Sequence, residues 1–230
     1  MATTSLCARA LLRPRLAPAS SLSRQHRLLS STASKVHPGL YYHPHPSVPH
    51  AYTLSYLESP PPSLAFSPTT IGTLRPLPAS SSSSSSFAPP APEHDDNLPP
   101  ITPRTFQENP DWLRLVHDVL REHVESDPWL ETRAKALHDD THLHIADERA
   151  PADANRVPDP QDILASVLVQ GGRVVGASYE PNRVAYRVVS EQGLMRIPQG
   201  LRDKVRDACA KVREVEAEVA RERDEGRQPQ

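Results

Sequence analysis

Two cysteines, Cys7 and Cys209, are all the chain has. Cys7 lies in a segment that reads as removable, so Cys209 is left alone. An internal disulfide, a CxxC redox pair and a Cys-based zinc site are all excluded. Cys209 itself falls in strongly helical sequence, which suits a small buried residue better than a nucleophile. Long apolar runs are missing as well. None approaches the roughly 18 to 20 residues that cross a bilayer, and none near the start reaches the roughly 7 to 15 of a secretory signal. GxSxG, HExxH, Walker and GxGxxG motifs are absent, so no motif names a reaction. The last shortage is acid: the first carboxylate in the chain is Glu58.

What stands in place of acid is base. Residues 1–35 hold Arg9, Arg13, Arg15, Arg24, Arg27 and Lys35, interleaved with Leu11, Leu12, Leu16, Leu22, Leu28, Leu29 and many hydroxyl residues. An Arg- and Ser-rich, acid-free, potentially amphipathic start is the pattern of a mitochondrial transit peptide. The inside-negative potential pulls such a segment inward with about 2.3 kcal/mol per charge per 100 mV. Arg27-Leu28-Leu29-Ser30-Ser31 fits a matrix-peptidase pattern, which places cleavage between Leu29 and Ser30 and gives residues 1–29 as the transit peptide. Pro14 and Pro18 interrupt the helix that such a segment would form. The expected destination is mitochondrial, in the matrix.

The whole chain has 26 basic and 28 acidic residues; without the six bases of residues 1–35, 20 face 28 and the net charge is −8. Nucleic-acid binders gain affinity by neutralising phosphates with a concentrated basic face. Broad nucleic-acid binding is therefore not expected, nor is a transmembrane segment.

Proline divides the remainder. Of 26 prolines, only Pro181, Pro198 and Pro229 follow residue 161. Residues 30–105 combine proline runs with seven serines, Ser80 to Ser86, and read as a disordered Pro/Ser-rich linker unable to offset its ordering entropy. Two islands in it, 52–57 and 70–74, are apolar enough to dock on a neighbour. Order is expected from Asn109, where Asn109-Pro110 and then Asp127-Pro128 each supply a cap followed by proline. Trp112, Leu113, Val116, Val119, Leu120 and Val124 give the first helix an apolar face. Residues 106–157 are thus a helical segment with an acidic, His-containing loop.

Residues 158–223 are expected to form a small antiparallel meander covered by a long helix. Strands are expected at 165–170, 173–179, 184–189 and 194–197, with a hairpin turn at Gly171-Gly172 and a bulge at Gly176. In the helix, Leu201, Val205, Ala208, Val212, Val215 and Val219 step by four and three, a heptad seam. Its second half outruns the sheet, which makes Val212, Val215 and Val219 candidates for partner binding. Residues 224–230 read as a disordered tail. The fold class is α+β.

One cluster invites a catalytic reading: His138, Asp139, Asp140, His142 and His144. Imidazoles two apart on an extended strand point the same way, so His142 and His144 can share a divalent metal, with His138 or Asp140 as a third ligand. The opposing reading is an acidic, His-containing loop. His43, His45 and His50 lie in proline-rich sequence. Arg183, Arg187 and Arg196, near Tyr179 and Tyr186, are candidates for an anionic or stacking surface on one sheet face.

Four segments carry a resemblance: Glu108-Asn109-Pro110, Ala146-Asp147-Glu148-Arg149, Pro160-Gln161-Asp162-Ile163-Leu164-Ala165-Ser166-Val167 and Ala185-Tyr186-Arg187-Val188-Val189. In them the stretch from Phe106 to Cys209 resembles an uncharacterised family of small mitochondrial proteins from filamentous fungi, a resemblance that implies no particular activity. The function expected is that of a non-catalytic accessory or assembly subunit of a larger mitochondrial complex, such as a respiratory enzyme or the mitoribosome. It needs a protein partner and no cofactor. The alternatives are a small metal-dependent enzyme built on the His138–His144 cluster and a soluble anion-sensing regulator.

Overall fold

The computed structural model describes residues 31–62, 67–75, 98–137, 139–149 and 158–226. The expected transit peptide with its Leu29–Ser30 cut, the serine run, His138 and residues 227–230 lie outside them. Helices and antiparallel strands are mixed along the chain, and a long helix closes it, in keeping with an α+β class.

Five short strands form the first sheet in sequential order: β1 (Thr32–Ala33), β2 (Tyr41–Pro44), β3 (Tyr52–Ser55), β4 (Thr70–Leu74) and β5 (Phe106–Glu108). This corrects the expectation of a disordered linker over 30–105 for its described residues 31–62, 67–75 and 98–105; residues 30, 63–66 and 76–97 lie outside the description. The prolines there build turns. In 37–40, Pro38 precedes Gly39 at φ +80°, and the Leu40 N–H closes onto the His37 carbonyl. In 48–51, Pro49 precedes His50 at φ +59°, and Ala51 closes onto Val48 in the same way. Both follow the type II pattern, in which proline sets the first central residue and the second needs positive φ. Pro44 ends β2 beyond the reach of β1, which pairs only with Tyr41 and Tyr42, so its missing N–H breaks no ladder there.

The two islands do dock, on each other. Leu54 lies opposite Gly72 in the β3–β4 ladder, and Leu40, Tyr42, Leu54, Ile71 and Leu74 enter the core. Order therefore begins well before Asn109, and the core runs from Leu40 to Cys209.

Both capped helices form where the cap-plus-proline signals place them. α1 (Pro110–His123) starts at Asn109, whose side chain accepts from the Asp111 N–H. The same amide donates to the Ser67 and Thr70 carbonyls, which pins the helix start to β4. α2 (Pro128–Lys135) starts at Asp127, which accepts from Trp129 and Leu130. Trp112, Val116 and Leu120 bury one face of α1, and the helix packs against β4, the eighth strand and the last helix.

The second sheet is β6 (Thr141–Ala146), β7 (Ile163–Gln170) and β8 (Arg173–Pro181) in that order. Gly171 and Gly172, both at positive φ, make the β7–β8 turn. Gly176 sits in an irregular stretch where Ser166 faces Glu180 but Leu168 already faces Val175. Its N–H donates to Glu125 Oε1 at 2.6 Å, and Ser178 Oγ fills the ladder by accepting from Leu168 N–H. The meander differs from expectation at both ends. The His-containing stretch supplies its first strand, and residues 184–188 form none. Only β9 (Val189–Ser190) and β10 (Gly193–Leu194) pair beyond them.

The last helix, α3 (Gln199–Glu225), lies on α1 rather than on a sheet face. Its buried row is Leu201, Val205, Cys209 and Arg213, a strict four-residue step. This corrects the heptad seam. A four-residue row is the ridge that packs against another helix inside a globule, whereas a heptad stays aligned only on a supercoiling partner.

A Cβ at Gly72 would overlap the Phe106 ring and the Gln107 carbonyl across the β4–β5 pair. Gly72→Ala is expected to lower stability by about 1–3 kcal/mol, as overpacking does. A urea midpoint that stayed unchanged would mean that β5 does not close this sheet in solution.

Candidate functional site

The densest polar construction is built around Arg149, just past the end of β6. Its side chain is fully buried, and the carboxylates of Asp147 and Asp162 beside it are nearly so. All five guanidinium N–H groups have acceptors. Nε donates to Asp162 Oδ1 at 2.8 Å. One terminal nitrogen donates to the Val188 and Gly193 carbonyls, the other to those of Gln161 and Arg187 at 3.0 and 2.7 Å. The plane lies 5.7 Å from the Tyr186 ring centroid.

Asp147 completes the hub. Its Oδ1 accepts from the Arg149 and Arg196 N–H groups, and its Oδ2 from the Tyr186 hydroxyl. Burial raises its carboxyl above the ordinary value, while Arg149 and those donors pull it back. Burial, with Asp147 alongside, raises the Tyr186 hydroxyl far above its usual range. Three stretches of the chain meet here, contributing Asp147 and Arg149, Gln161 and Asp162, and Tyr186, Arg187 and Val188. The chemistry of the hub is cohesion: Asp147, Arg149 and Tyr186 are buried against one another, and Asp162 Oδ2 is the one hub oxygen among the described residues left buried without a hydrogen bond.

A second buried arginine, Arg213 of α3, reaches the loop between β3 and β4. It donates to Thr69 Oγ1 through Nε at 3.0 Å and to the Ser59 carbonyl at 2.5 Å. Three residues on, Glu216 accepts from Ser67 Oγ at 2.8 Å and lies 3.6 Å from Arg213. A third polar pair joins α1 to β8, with His117 Nδ1 2.8 Å from the Tyr179 hydroxyl. His117 Nε2 is buried without a hydrogen-bond partner. Burial first, then Arg183 and Arg121, lower this imidazole to about 4.

The residues singled out in the sequence are dispersed. His142 and His144 share one face of β6, facing Leu168 and Ser166 across the ladder. His144 Nδ1 is taken by Ser166 Oγ at 2.8 Å, and Asp140 accepts from the Gly171 N–H. Among the described residues no three His, Cys, Asp or Glu side chains come close enough to hold a metal. His43 is buried between Ser31 Oγ and the Leu57 carbonyl, and burial lowers its pKa. His45 turns its Nδ1 onto the N–H groups of Ser47 and Val48.

The arginine surface does not assemble on a sheet face, because residues 183–188 leave the extended conformation. Tyr186 turns inward to Arg149, Tyr179 turns to α1, and Arg187 folds back onto the Val184 and Tyr186 carbonyls. Cys209 is buried, and burial raises its thiol to about 11, no nucleophile at neutral pH.

Among the described residues the exposed large apolar side chains are Val48, Val184 and two on the far half of α3. Val215 is 60% exposed and Val219 39%, with Val212 partly covered beside them. Exposed Glu214, Glu218 and Glu222 step by four along the same half, Glu218 and Glu222 each one turn beyond Val215 and Val219.

Sequence reasoning missed Arg149, Asp147, Asp162, Arg213 and His117 as organising residues. Arg213 carried a signal, since it continues the row of Leu201, Val205 and Cys209 by four; Arg149 carried none in its periodicity.

Arg149→Lys and Arg149→Met are each expected to cost about 3–5 kcal/mol, since they leave buried carboxylates unpaired. Lysine cannot restore the fork, having three donors on a flexible stem. A loss below about 1 kcal/mol in denaturant titration would refute the hub. His117 favours its neutral form in the fold, with a pKa of about 4 against an ordinary 6.5. The unfolded chain therefore takes up the proton first as pH falls. This contribution is complete above pH 6.5 and lost progressively toward pH 4, by about 3 kcal/mol. His117→Gln should flatten that part of the stability–pH curve, and an unaltered slope would remove the assignment. Set against protein-family models, curated proteins and solved structures, the chain matches none of them.

Proposed function

We propose that this chain is a non-catalytic accessory or assembly subunit that joins a larger mitochondrial complex, a respiratory enzyme or the mitoribosome being the candidates. The observation that carries the reading is the exposed half of α3. Either side of Arg213 the helix presents half-covered Val212 and exposed Val215 and Val219, with Glu214, Glu218 and Glu222 alongside. An apolar stripe with charged flanks on a helix is the form taken by helix-mediated recognition. The acidic flank selects a partner surface whose apolar strip is bordered by Lys or Arg.

The buried polar groups support the same reading. Arg149, Asp147, Asp162, Arg213, Tyr186 and Cys209 are enclosed in the fold, and burial is the largest cause of the shifts at Asp147, Tyr186, Cys209 and Arg213. No helix among the described residues is long and apolar enough to cross a membrane, so attachment through a protein surface is the simpler route. The acid-free start of the sequence supports the mitochondrial address.

Val215→Glu with Val219→Glu tests the reading directly. Both sites are exposed, so the melting temperature should stay within about 2 °C. Co-migration with a larger complex in native gels of gently lysed mitochondria should fall at least about tenfold. Migration of the unaltered protein only as a free monomer would end the proposal.

A further inference from the structure

An edge strand exposes a row of backbone N–H and C=O groups, and proteins blunt long edges with charge, proline, bulges or cover. The long edge strands among the described residues are β6 and β8. β8 carries such devices: it contains Arg173, Glu180 and Pro181, its register is irregular, and Glu125 takes the Gly176 N–H. β6 is bare by comparison. Thr141–Ala146 holds no proline, carboxylate, lysine or arginine, and its one register shift lies at its last pair, Ile145/Ala146.

The alternation of the ladder decides which groups β6 offers. The Leu168 N–H goes to Ser178 Oγ and the Leu164 carbonyl accepts from the Asn182 N–H, so even-numbered residues of β7 face β8. Odd-numbered residues face β6, as does the Gly171 N–H that donates to Asp140. Thr141, Leu143 and Ile145 stand opposite Val169, Val167 and Ala165 and take those bonds. His142 and His144 alternate with them and turn their N–H and C=O groups outward. Among the described residues nothing bonds to these four groups.

The row is complementary to itself. In an antiparallel pair about a two-fold axis at Leu143, His142 faces His144 of a second copy, and His144 faces His142 of that copy. Each facing pair exchanges two hydrogen bonds, so all four outward groups of each copy are used. Half-buried Leu143, which packs on the core, then meets its counterpart with Cα atoms about 4.5 Å apart. Both ends of the strand are mixed in sign. Asp139 and Asp140 share one end with Lys135, whose backbone lies against Gly172. Glu148 and Arg196 share the other, joined by a backbone hydrogen bond. No block of like charge opposes the pairing.

We propose that two copies of this chain pair through β6, His142 against His144, into one continuous six-stranded sheet. The contact is isologous and closes on two copies. Pairing of β6 with β8 would instead propagate into a filament, and the devices on β8 oppose it. The surface is separate from the α3 valines, so it stands or falls independently of the proposed function. One short strand per copy makes a small interface, so the dimer is weak, with a dissociation constant of the order of 10 µM.

Sedimentation of the full chain between about 1 and 200 µM should pass from monomer to dimer. Amide hydrogen exchange in the same series identifies the strand without any substitution. The His142 and His144 amides should exchange freely at the low end and at least about tenfold more slowly at the high end. Leu143 and Ile145, bonded within each copy, should be protected at both. His142→Pro removes only an outward N–H, so the fold should hold while the dimer weakens at least about tenfold. His142→Glu with His144→Glu sets like charges across the axis and should dissociate the dimer. His142→Glu with His144→Lys sets opposite charges there and should restore it. Val215→Glu with Val219→Glu should leave it unchanged. A chain that stays monomeric at about 200 µM overturns the proposal. So does a dimer that leaves the exchange of the His142 and His144 amides unaltered, or one abolished by the α3 substitutions, since either assigns the contact to another surface.

Discussion

A guanidinium removed from water must find a partner for every N–H it carries, and Arg149 finds five. Two are carbonyls from the Arg187–Val188 stretch, one is from the β9–β10 hairpin, one precedes Asp162, and the last is the Asp162 carboxylate. An idealised ion transfer to a dry interior costs of order 20 kcal/mol, so such a group persists only when its surroundings are fully committed to it. That commitment shapes the backbone. Residues 186–188 read as a strand in the sequence, yet the Arg187 and Val188 carbonyls face Arg149, and Arg187 N–H goes to Gln161. A ladder and the hub compete for the same groups, and the hub holds them.

Arg213 plays the corresponding part on the other side of the molecule. It ties α3 to the Ser59–Thr69 loop, and Asn109 ties α1 to the same loop through Ser67 and Thr70. The proline-rich part of the chain is thereby fastened to both helices. Its strands are too short to stand alone, and their stability comes from Leu54, Ile71 and Leu74 packing in the common core with Trp112.

What the sequence made legible were local signals with local causes: the two cap-plus-proline helix starts, the Gly171–Gly172 turn, the irregularity at Gly176 and the exposure of Val215 and Val219. Each is decided within a few residues. What stayed hidden depended on distant groups. Composition averaged over residues 30–105 let the serine run mask strands a few residues long, and prolines that make type II turns looked like breakers. The first meander strand was hidden because His142 and His144 drew attention to metal chemistry, while Leu143 and Ile145 on the other face were the packing signal. Arg149 looked like one more surface charge, because its acceptors lie 12 to 44 residues away in sequence.

The same contrast explains why the open surface is where it is. α3 follows a four-residue ridge while α1 lies beneath it, and its buried row ends at Arg213, where the polar strap to the first sheet is made. Past that point Glu216 still accepts from Ser67, while Val215 and Val219 lie exposed and continue from Val212 at a three-and-four spacing suited to another helix. A stripe of β-branched residues is a poor choice for a helix that faces only water. Exposed Val215 therefore costs helix propensity without a return in burial among the described residues.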